Sequence, residues 1–264
     1  MSIAKISNIN FANISKILSN DIEGLDSYAH YKLNDDATNT TVTDDGTGAN
    51  NGVCSVNTNV LSAIGKINSC FDFSGQRIEI DDLWDDIVGD TKGSFSVWIK
   101  PDSLDDKTVF SFADSSAGDY FWVLLHSSFN KNVEVANMAG DPSPWRFQPT
   151  TTEVTVGNWF HIVLVHNGIE PKLYINSIEQ TLNYDVDNDK TVWLDVGAEY
   201  NNGRIGITNY AGSGNILPFD GKIDDFRYYK NVALNLTQIQ RIYNLGNGTE
   251  SELIGVDKFL GITK

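Results

Sequence analysis

Short segments in which apolar and polar residues alternate recur along the chain, and this pattern most constrains the fold. The segment SFSVWIKP (94–101) places Phe95, Val97 and Ile99 on one side and ends at a proline, which lacks a donor for a β-ladder. Successive side chains of a strand point to opposite faces, so each such segment has one apolar face to bury. Many short strands separated by turn residues, with almost no helical periodicity, predict a β-sandwich or barrel.

The predicted strands are spread over most of the chain. They are Tyr28–Leu33, Ser69–Phe73, Arg77–Ile80, 94–101, Val109–Phe112, Tyr120–Leu125, Asn132–Ala136, Trp159–Val165, Leu173–Asn176, Arg204–Thr208 and Phe219–Lys230. One segment, LNLTQIQRIYNLG (234–246), differs because Leu236, Ile239 and Ile242 repeat at helical spacing. Gly246 follows where a helix commonly stops, so we predict a single short helix near the C-terminus.

Composition limits the classes of partner. Asp and Glu outnumber Lys and Arg by 35 to 19, which gives a formal net charge of -16. A surface this negative repels phosphate backbones and anionic lipids, so we expect neither nucleic acid nor membrane as a partner. The same carboxylates favour divalent cations, although the charge also has a simpler explanation as a means of keeping the protein soluble.

The N-terminal residues 1–24 differ from the rest of the chain. They carry sparse apolar residues among Ser, Asn and Lys, without the continuous apolar stretch of a secretory signal, and no run in the chain approaches bilayer-spanning length. We predict that this segment anchors the protein or assembles it with sister subunits. The residues proposed for that contact are Ile3, Ile6, Phe11, Ile14 and Ile17. Residues 25–249 then form one domain, and 250–264 a tail.

Two cysteines, Cys54 and Cys70, occur in the chain. They are too few for a disulfide scaffold, and no CxxC motif is present. Because they lie in consecutive predicted strands, a cross-strand bridge and two reduced core thiols both stay open.

The order of the segments resembles a known family. YKLNDDATNTTVTDDGTGANNGV, GKINSCFDFSGQRIEI, FSVWIKP, NWFHIVLVHNG, LYINS and FDGKIDDFRYYKNVALNLTQIQRIYNLG follow each other as in laminin-G-like or pentraxin-like domains of the concanavalin A-like superfamily. The resemblance covers residues 28–247 and implies an all-β, two-sheet antiparallel jelly-roll sandwich with one short C-terminal helix and an N-terminal extension. It also implies an accessory module that binds glycan or adheres to a surface. The segment KISNINFANISKI is similar to leader segments of tailed-phage structural proteins.

A loop rich in Asp, Asn and Gly, residues 44–52, is a candidate calcium site. Calcium takes six to eight oxygen ligands, which such a loop supplies from carboxylates, amides and carbonyls. The resemblance pairs this loop with an aspartate of the late IDD motif, so the expected ligands are Asp44, Asn50 and Asp224. The alternative is an ordinary turn in which carboxylates accept backbone N–H groups.

Sugar recognition requires aromatic faces beside polar groups, because a pyranose has one apolar side. Trp145 with adjacent Arg146, in a loop stiffened by prolines, and Tyr200 and Tyr210, in Gly/Asn-rich loops, are the expected ligand-binding residues. Trp145 covering an edge of the core is the alternative.

A second acidic group surrounds Trp84. Its members are Asp81, Asp82, Asp85 and Asp86. The group suits a cation site or the flank of a sugar-stacking Trp84, but it is also typical of a solvated loop.

Catalytic patterns are missing from the sequence. Glucanases with this sandwich carry ExDxE or ExDxxE on one strand, whereas NVEVANM holds Glu134 alone. The histidines show no metal-binding spacing. We therefore predict a non-catalytic, surface-displayed module of a phage virion that binds polysaccharide or cell-surface glycan in many copies or as a homo-oligomer. The alternatives are a purely structural virion decoration protein, a secreted bacterial adhesion module at the cell surface, or a polysaccharide-active hydrolase.

Overall fold

A computed structural model of the chain describes residues 25–196 and 199–252. In chain order the strands are β1 (Ala29–Tyr31), β2 (Thr41–Val42), β3 (Gly52–Cys54), β4 (Ser62–Ile64), β5 (Ser69–Ser74), β6 (Ile78–Glu79), β7 (Gly93–Pro101), β8 (Lys107–Ala113), β9 (Tyr120–Leu125), β10 (Val133–Met138), β11 (Trp145–Pro149), β12 (Phe160–His166), β13 (Pro171–Ile175), β14 (Ile178–Glu179), β15 (Leu182–Asp187), β16 (Asn202–Ile205), β17 (Thr208–Asn209), β18 (Asn215–Ile216) and β19 (Asp220–Lys230). The α-helices are α1 (Asp81–Ile87) and α2 (Leu236–Tyr243), and short 3-10 turns cover Thr58–Val60, Asn130–Asn132 and Asn244–Gly246.

Within these described ranges the strands form two large antiparallel sheets and a small hairpin of β17 and β18. Sheet A has the order β14-β13-β12-β7-β19-β5-β4, and β1 also pairs with β19. Sheet B has the order β15-β11-β10-β9-β8-β16-β6-β3-β2. Neighbouring strands such as β7 and β19 are distant in sequence, as in a jelly roll. The predicted all-β, two-sheet antiparallel sandwich with a short C-terminal helix is therefore confirmed.

Strand β19 lies at the centre of sheet A. It pairs with β7 on one side, and on the other it pairs first with β5 and then with β1. The register with β7 shifts between Asp224 and Arg227, and Asp225 within this bulge has a φ of 52°. A bulge redirects the side chains around it, and here both aspartates become fully buried.

The core fills the space between the inner faces of the two sheets. At its centre, the ring of Phe95 in β7 lies 4.8 Å from Phe110, 6.0 Å from Phe121, 5.7 Å from Trp193 and 4.5 Å from Tyr228, measured between centroids. All five side chains are buried. The apolar face predicted for 94–101, formed by Phe95, Val97 and Ile99, therefore faces the core.

Helix α2 confirms the predicted helix. Asn235 caps its first turn in a reciprocal pair of hydrogen bonds with Gln238, and Ile239 and Ile242 are buried. The chain leaves the helix through Asn244 at a φ of 47°, and the predicted stop, Gly246, follows two residues later.

Helix α1 replaces the loop expected around Trp84. Leu83, Trp84 and Ile87 are buried at helical spacing, while Asp81 and Asp82 occupy the first turn, where the helix dipole favours acids. The Trp84 Nε1–H donates to the carbonyl of Tyr200, so the indole is a core residue and the expectation of a sugar-stacking Trp84 is wrong.

The two cysteines lie in different sheets, Cys54 in β3 and Cys70 in β5. Both are buried free thiols, so the cross-strand bridge is not formed. No helix in residues 25–196 and 199–252 is long and apolar enough to cross a bilayer.

Phe95→Ala should lower the free energy of unfolding by about 3–5 kcal/mol, because it opens a cavity among rings that are contributed by both sheets. Chemical denaturation followed by tryptophan fluorescence measures this loss. Ile64→Ala, at a side chain that is 87% exposed, is the control and should change stability by no more than about 0.5 kcal/mol. Equal effects of the two substitutions would contradict the proposed centre of the core.

Candidate functional site

The structure places Trp145 in the core. It is the first residue of β11, is 0% exposed, and donates its Nε1–H to the carbonyl of Val192 at 2.8 Å. Its ring stacks on Phe147 and meets Phe121 edge to face. The expected presentation of Trp145 in a loop is wrong, because Trp145 and Phe147 alternate along a strand and both face inward.

Tyr200 is also buried, with 2% exposure, and its hydroxyl donates to Asn137 Oδ1 at 2.6 Å. It offers no face to a ligand, so that expectation is wrong as well. Tyr210 is half-buried, follows β17, and meets the ring of Tyr120 edge to face at 5.3 Å. Of the predicted aromatic residues, only Tyr210 reaches the surface.

Arg146 lies on the outer face of sheet B, on the side of β11 opposite to Trp145. Its Nε and Nη2 lie 2.8 and 2.5 Å from Asp185 Oδ2 in β15, and Nε lies 3.8 Å from Glu134 Oε2 in β10. The hydrogen bond to Asp185 raises the pKa of Arg146 above its ordinary value, so the guanidinium stays charged.

Beside Arg146 lies an aromatic floor. Trp122 and Tyr120 on β9 stack with centroids 3.8 Å apart, and the Trp122 Nε1–H donates to Glu134 Oε1 at 2.9 Å. The register sets Trp122 and Arg146 on either side of Ala136, so aromatic and charged side chains line one row across β9, β10 and β11.

We call these residues the outer-face cluster: Tyr120, Trp122, Glu134, Arg146, Asp185 and Tyr210. Tyr120 and Trp122 are each 9% exposed, Glu134 is 2% exposed, and the side chain of Asp185 is 38% exposed. The cluster therefore has a nearly covered floor and an accessible rim.

Burial raises the pKa of Glu134, and the Trp122 hydrogen bond and the Arg146 charge oppose that shift. Sequence reasoning missed Tyr120, Trp122 and Asp185. All six residues of YFWVLL are apolar or aromatic, which is typical of a strand buried on both faces. The pattern therefore does not indicate which side chains of β9 face outward.

A sequence profile of one family, described as the concanavalin A-like lectin/glucanases superfamily, matches residues 74–240. That span is more than half of the chain. The chain belongs to this family. The predicted resemblance to laminin-G-like domains is confirmed, whereas no match was found among curated protein sequences.

Solved structures with this concanavalin A-like fold include sugar-binding domains. Domain 4 of AbnA, a GH43 extracellular arabinanase from Geobacillus stearothermophilus in complex with arabinotriose, is 20% identical with a TM-score of 0.57, over 86% of this chain and 100% of that one. The CBM40 of Ruminococcus gnavus IT-sialidase bound to alpha2,3 sialyllactose is 12% identical with a TM-score of 0.54, over 66% and 94%.

The NanB sialidase from Streptococcus pneumoniae is 17% identical with a TM-score of 0.50. The match covers 65% of this chain and 27% of the sialidase, so the similarity spans about a quarter of that enzyme. At these identities the solved structures establish the concanavalin A-like fold alone.

The predicted calcium ligands do not form one site in this concanavalin A-like domain. Asp44 accepts backbone N–H groups from His30 and Gly46 at Oδ1 and from Asn50 at Oδ2, at 2.7–2.8 Å, as in the alternative turn. The side-chain nitrogen of Asn50 donates to Asp86. Within residues 25–196 and 199–252 there is no group of three His, Cys, Asp or Glu arranged to hold a metal. Both carboxylate oxygens of Asp44 accept backbone N–H groups here, and calcium binding stays a prediction of the sequence.

Asp224 lies elsewhere, on the outer face of sheet A. Its Oδ2 accepts the backbone N–H groups of Lys66 and Ile67 at 2.8 and 2.9 Å, and its Oδ1 has no hydrogen-bond partner among the described residues. Trp98 is its cross-strand neighbour and stacks on His161. Burial raises the pKa of Asp224 to about 8.

A pocket of about 190 Å³ opens at the edge of the sandwich where β13, β14 and β15 meet. It is lined by Glu170, Pro171, Lys172, Glu179, Gln180, Leu182 and Tyr184. Lys172 and Tyr174 both bind Glu179, and Lys190 Nζ lies 4.1 Å from the centroid of Tyr184, so Lys172, Glu179 and the ring of Tyr184 already have partners.

The contribution of Asp224 to the free energy of unfolding should fall as the pH rises from about 4 to 8, a direction opposite to that of buried His161, whose pKa is lowered to about 3. The folded state holds a proton that the unfolded carboxyl releases near its ordinary pKa of 3.8. Stability from this group is full below that value and is lost as the pH rises through about 8, with a slope of at most about 1.4 kcal/mol per pH unit.

Asp224→Asn should remove this contribution, so that in denaturation curves recorded at successive pH values the free energy of unfolding falls less, or rises more, with pH than in the unaltered protein. Asp72→Asn, which removes a half-buried carboxylate from β5, is the control and should keep the slope. A wild-type slope in Asp224→Asn would refute the assignment of the titration to this carboxyl.

Proposed function

We propose that the domain is a non-catalytic glycan-binding module and that it binds sugar through the outer-face cluster. The observation that carries the proposal is the row of Trp122, Ala136 and Arg146 across sheet B, where an aromatic floor adjoins charged hydrogen-bonding groups. Sugar sites require the same pairing, because the apolar side of the ring stacks on aromatic carbons while its hydroxyls bind polar groups.

The polar rim suits hydroxyl groups. Asp185 supplies carboxylate oxygens as acceptors, and Arg146 supplies N–H donors that keep a fixed direction through their bonds to Asp185, while buried Glu134 lies beneath them. Tyr210 supplies a half-buried ring and hydroxyl at the opposite end of the cluster. A ligand at this rim would contact the donors of Arg146 and the acceptors of Asp185, with Tyr210 as the accessible ring, since Tyr120 and Trp122 are each only 9% exposed.

The solved structures support binding as the role of the domain. Two of the most similar ones are domains whose structures contain arabinotriose and sialyllactose. Both are modules of larger enzymes, and neither is itself described as the catalytic part. Their similarity gives the fold, and the outer-face cluster of this chain gives the chemistry from which glycan binding is proposed here.

The arrangement of carboxylates supports a non-catalytic role. Glycosidases of the common kind place two carboxylates on opposite sides of the scissile bond. The outward positions of β10 are Glu134, Ala136 and Met138, so this strand presents one carboxylate. The second acid of the cluster, Asp185, is held against Arg146, and Glu134 accepts the indole N–H of Trp122.

Surface display completes the proposal. Single glycan sites bind weakly, and many copies on one particle or cell raise the overall affinity. Residues 1–24, with Ile3, Ile6, Phe11, Ile14 and Ile17, lie outside the described residues. Attachment to a phage virion, oligomer formation and location at a virion or cell surface stay predictions of the sequence.

Tyr210→Ala should weaken glycan binding at least tenfold while leaving the fold intact, because Tyr210 packs on the cluster from a surface turn and not from the core. Binding of the purified protein to an array of arabino-, xylo-, gluco-, galacto- and manno-oligosaccharides measures the effect, with a thermal melt as the check on folding.

Tyr184→Ala is the matched control, since Tyr184 is another half-buried tyrosine on the surface but lines the edge pocket. It should leave binding unchanged. Loss of binding in Tyr184→Ala alone would move the site to the edge pocket. Failure of the unaltered protein to bind any member of the array, even at high surface density, would reject the glycan-binding function.

A further inference from the structure

The outer-face cluster has a definite charge state, and this charge state decides which sugars it accepts. Arg146 is the only cation of the cluster as defined above, and it lies between the carboxylates of Asp185 and Glu134. When both acids are ionised, the three groups carry a net charge of -1. Protonation of Glu134 brings the sum to zero, so neither state is positive.

Arg146 is engaged in its own pairing. Two of its nitrogens contact the same oxygen of Asp185, at 2.8 and 2.5 Å. To reach Arg146, a ligand carboxylate would have to displace Asp185 or lie beside it. Two carboxylates side by side on one guanidinium repel each other. A hydroxyl group meets neither obstacle, because it donates to the free lone pairs of Asp185 and accepts from the remaining N–H groups of Arg146.

The surroundings do not reverse this charge. The chain carries a net charge of -16, so its long-range field also opposes an anionic ligand. On β15, Asp187 lies two residues beyond Asp185 and pairs with Lys190, which itself lies over the ring of Tyr184. That lysine is thereby committed to groups outside the cluster.

We infer that the outer-face cluster selects neutral oligosaccharides over acidic ones, with Asp185 as the residue that sets this specificity by occupying Arg146. The inference rests on the proposed glycan-binding function. The expected ligand therefore differs in charge from sialyllactose, the acidic sugar in one similar module. It is neutral, as is the arabinotriose in the other.

The test compares ligands that differ only in charge. The probes are 3′-sialyllactose and its carboxyl methyl ester, together with the neutral oligosaccharide array and oligogalacturonate, each immobilised at the same density. The unaltered protein should bind neutral oligosaccharides, and it should bind the methyl ester at least tenfold more strongly than the free acid. Raising the salt from 50 to 500 mM should lower the ratio of ester binding to acid binding, because screening weakens the repulsion between the ligand carboxylate and Asp185.

Asp185→Asn should release Arg146 and raise binding of the free acid, relative to that of the methyl ester, at least tenfold. Asp187→Asn is the matched control, because it removes the same charge from the same strand at a residue that pairs with Lys190 and not with Arg146. It should leave the ratio of acid to ester unchanged.

Glycan binding and selection by charge can fail separately. Equal binding of the acid and the ester by the unaltered protein overturns the charge selection while glycan binding stands. An equal gain in Asp185→Asn and Asp187→Asn overturns the role of the Arg146 pair and assigns the selection to overall charge. No binding to any sugar by the unaltered protein overturns the proposed function and this inference together.

Discussion

The packing of two inner sheet faces against each other is the constraint on which the rest of the structure depends. Phe95 in sheet A contacts Phe110 and Phe121 in sheet B, so the central strands of both sheets are fixed by one set of rings. Successive side chains of a strand point to opposite faces. When one residue faces the core, the residues before and after it in the strand face outward. The positions of Trp122 and Arg146 follow from the burial of Phe121 and Trp145.

The outer faces of the two sheets differ in how far their charged side chains are buried. On sheet A, Asp225 is fully buried and binds both His30 and Arg227, and Arg227 also donates to the carbonyl of Thr249. Breaking a buried pair of this kind is strongly destabilising, because it leaves an uncompensated charge. This network joins the first strand of the domain to the segment after α2, which makes the outer face of sheet A a structural surface.

Sheet B keeps an outer face with an accessible rim. Arg146 and Asp185 lie half-buried or exposed at the edge of an aromatic floor, where a ligand can reach them, while Glu134 is buried beneath. An acidic protein that binds sugar through this face gains little from long-range attraction. Under the proposed function, its affinity comes from stacking and short hydrogen bonds.

The sequence by itself determined the class of fold and the placement of most strands. Tyr120–Leu125 was predicted with the observed bounds, and α2 was predicted from Ile239, Ile242 and the stop at Gly246. These features are local, because alternation, helical spacing and turn residues act over a few neighbouring positions.

Tertiary structure alone decided which residues share a surface. Trp145 faces the core, where the sequence favoured a ligand-binding loop residue, and Trp122 faces the outer side of sheet B, because the direction of a side chain depends on the register across β9, β10 and β11. Asp185 meets Arg146 from 39 positions away, and Asp44 turns to its own loop and not to Asp224. Strand pairing brings together residues distant in the chain, and no local pattern encodes that proximity.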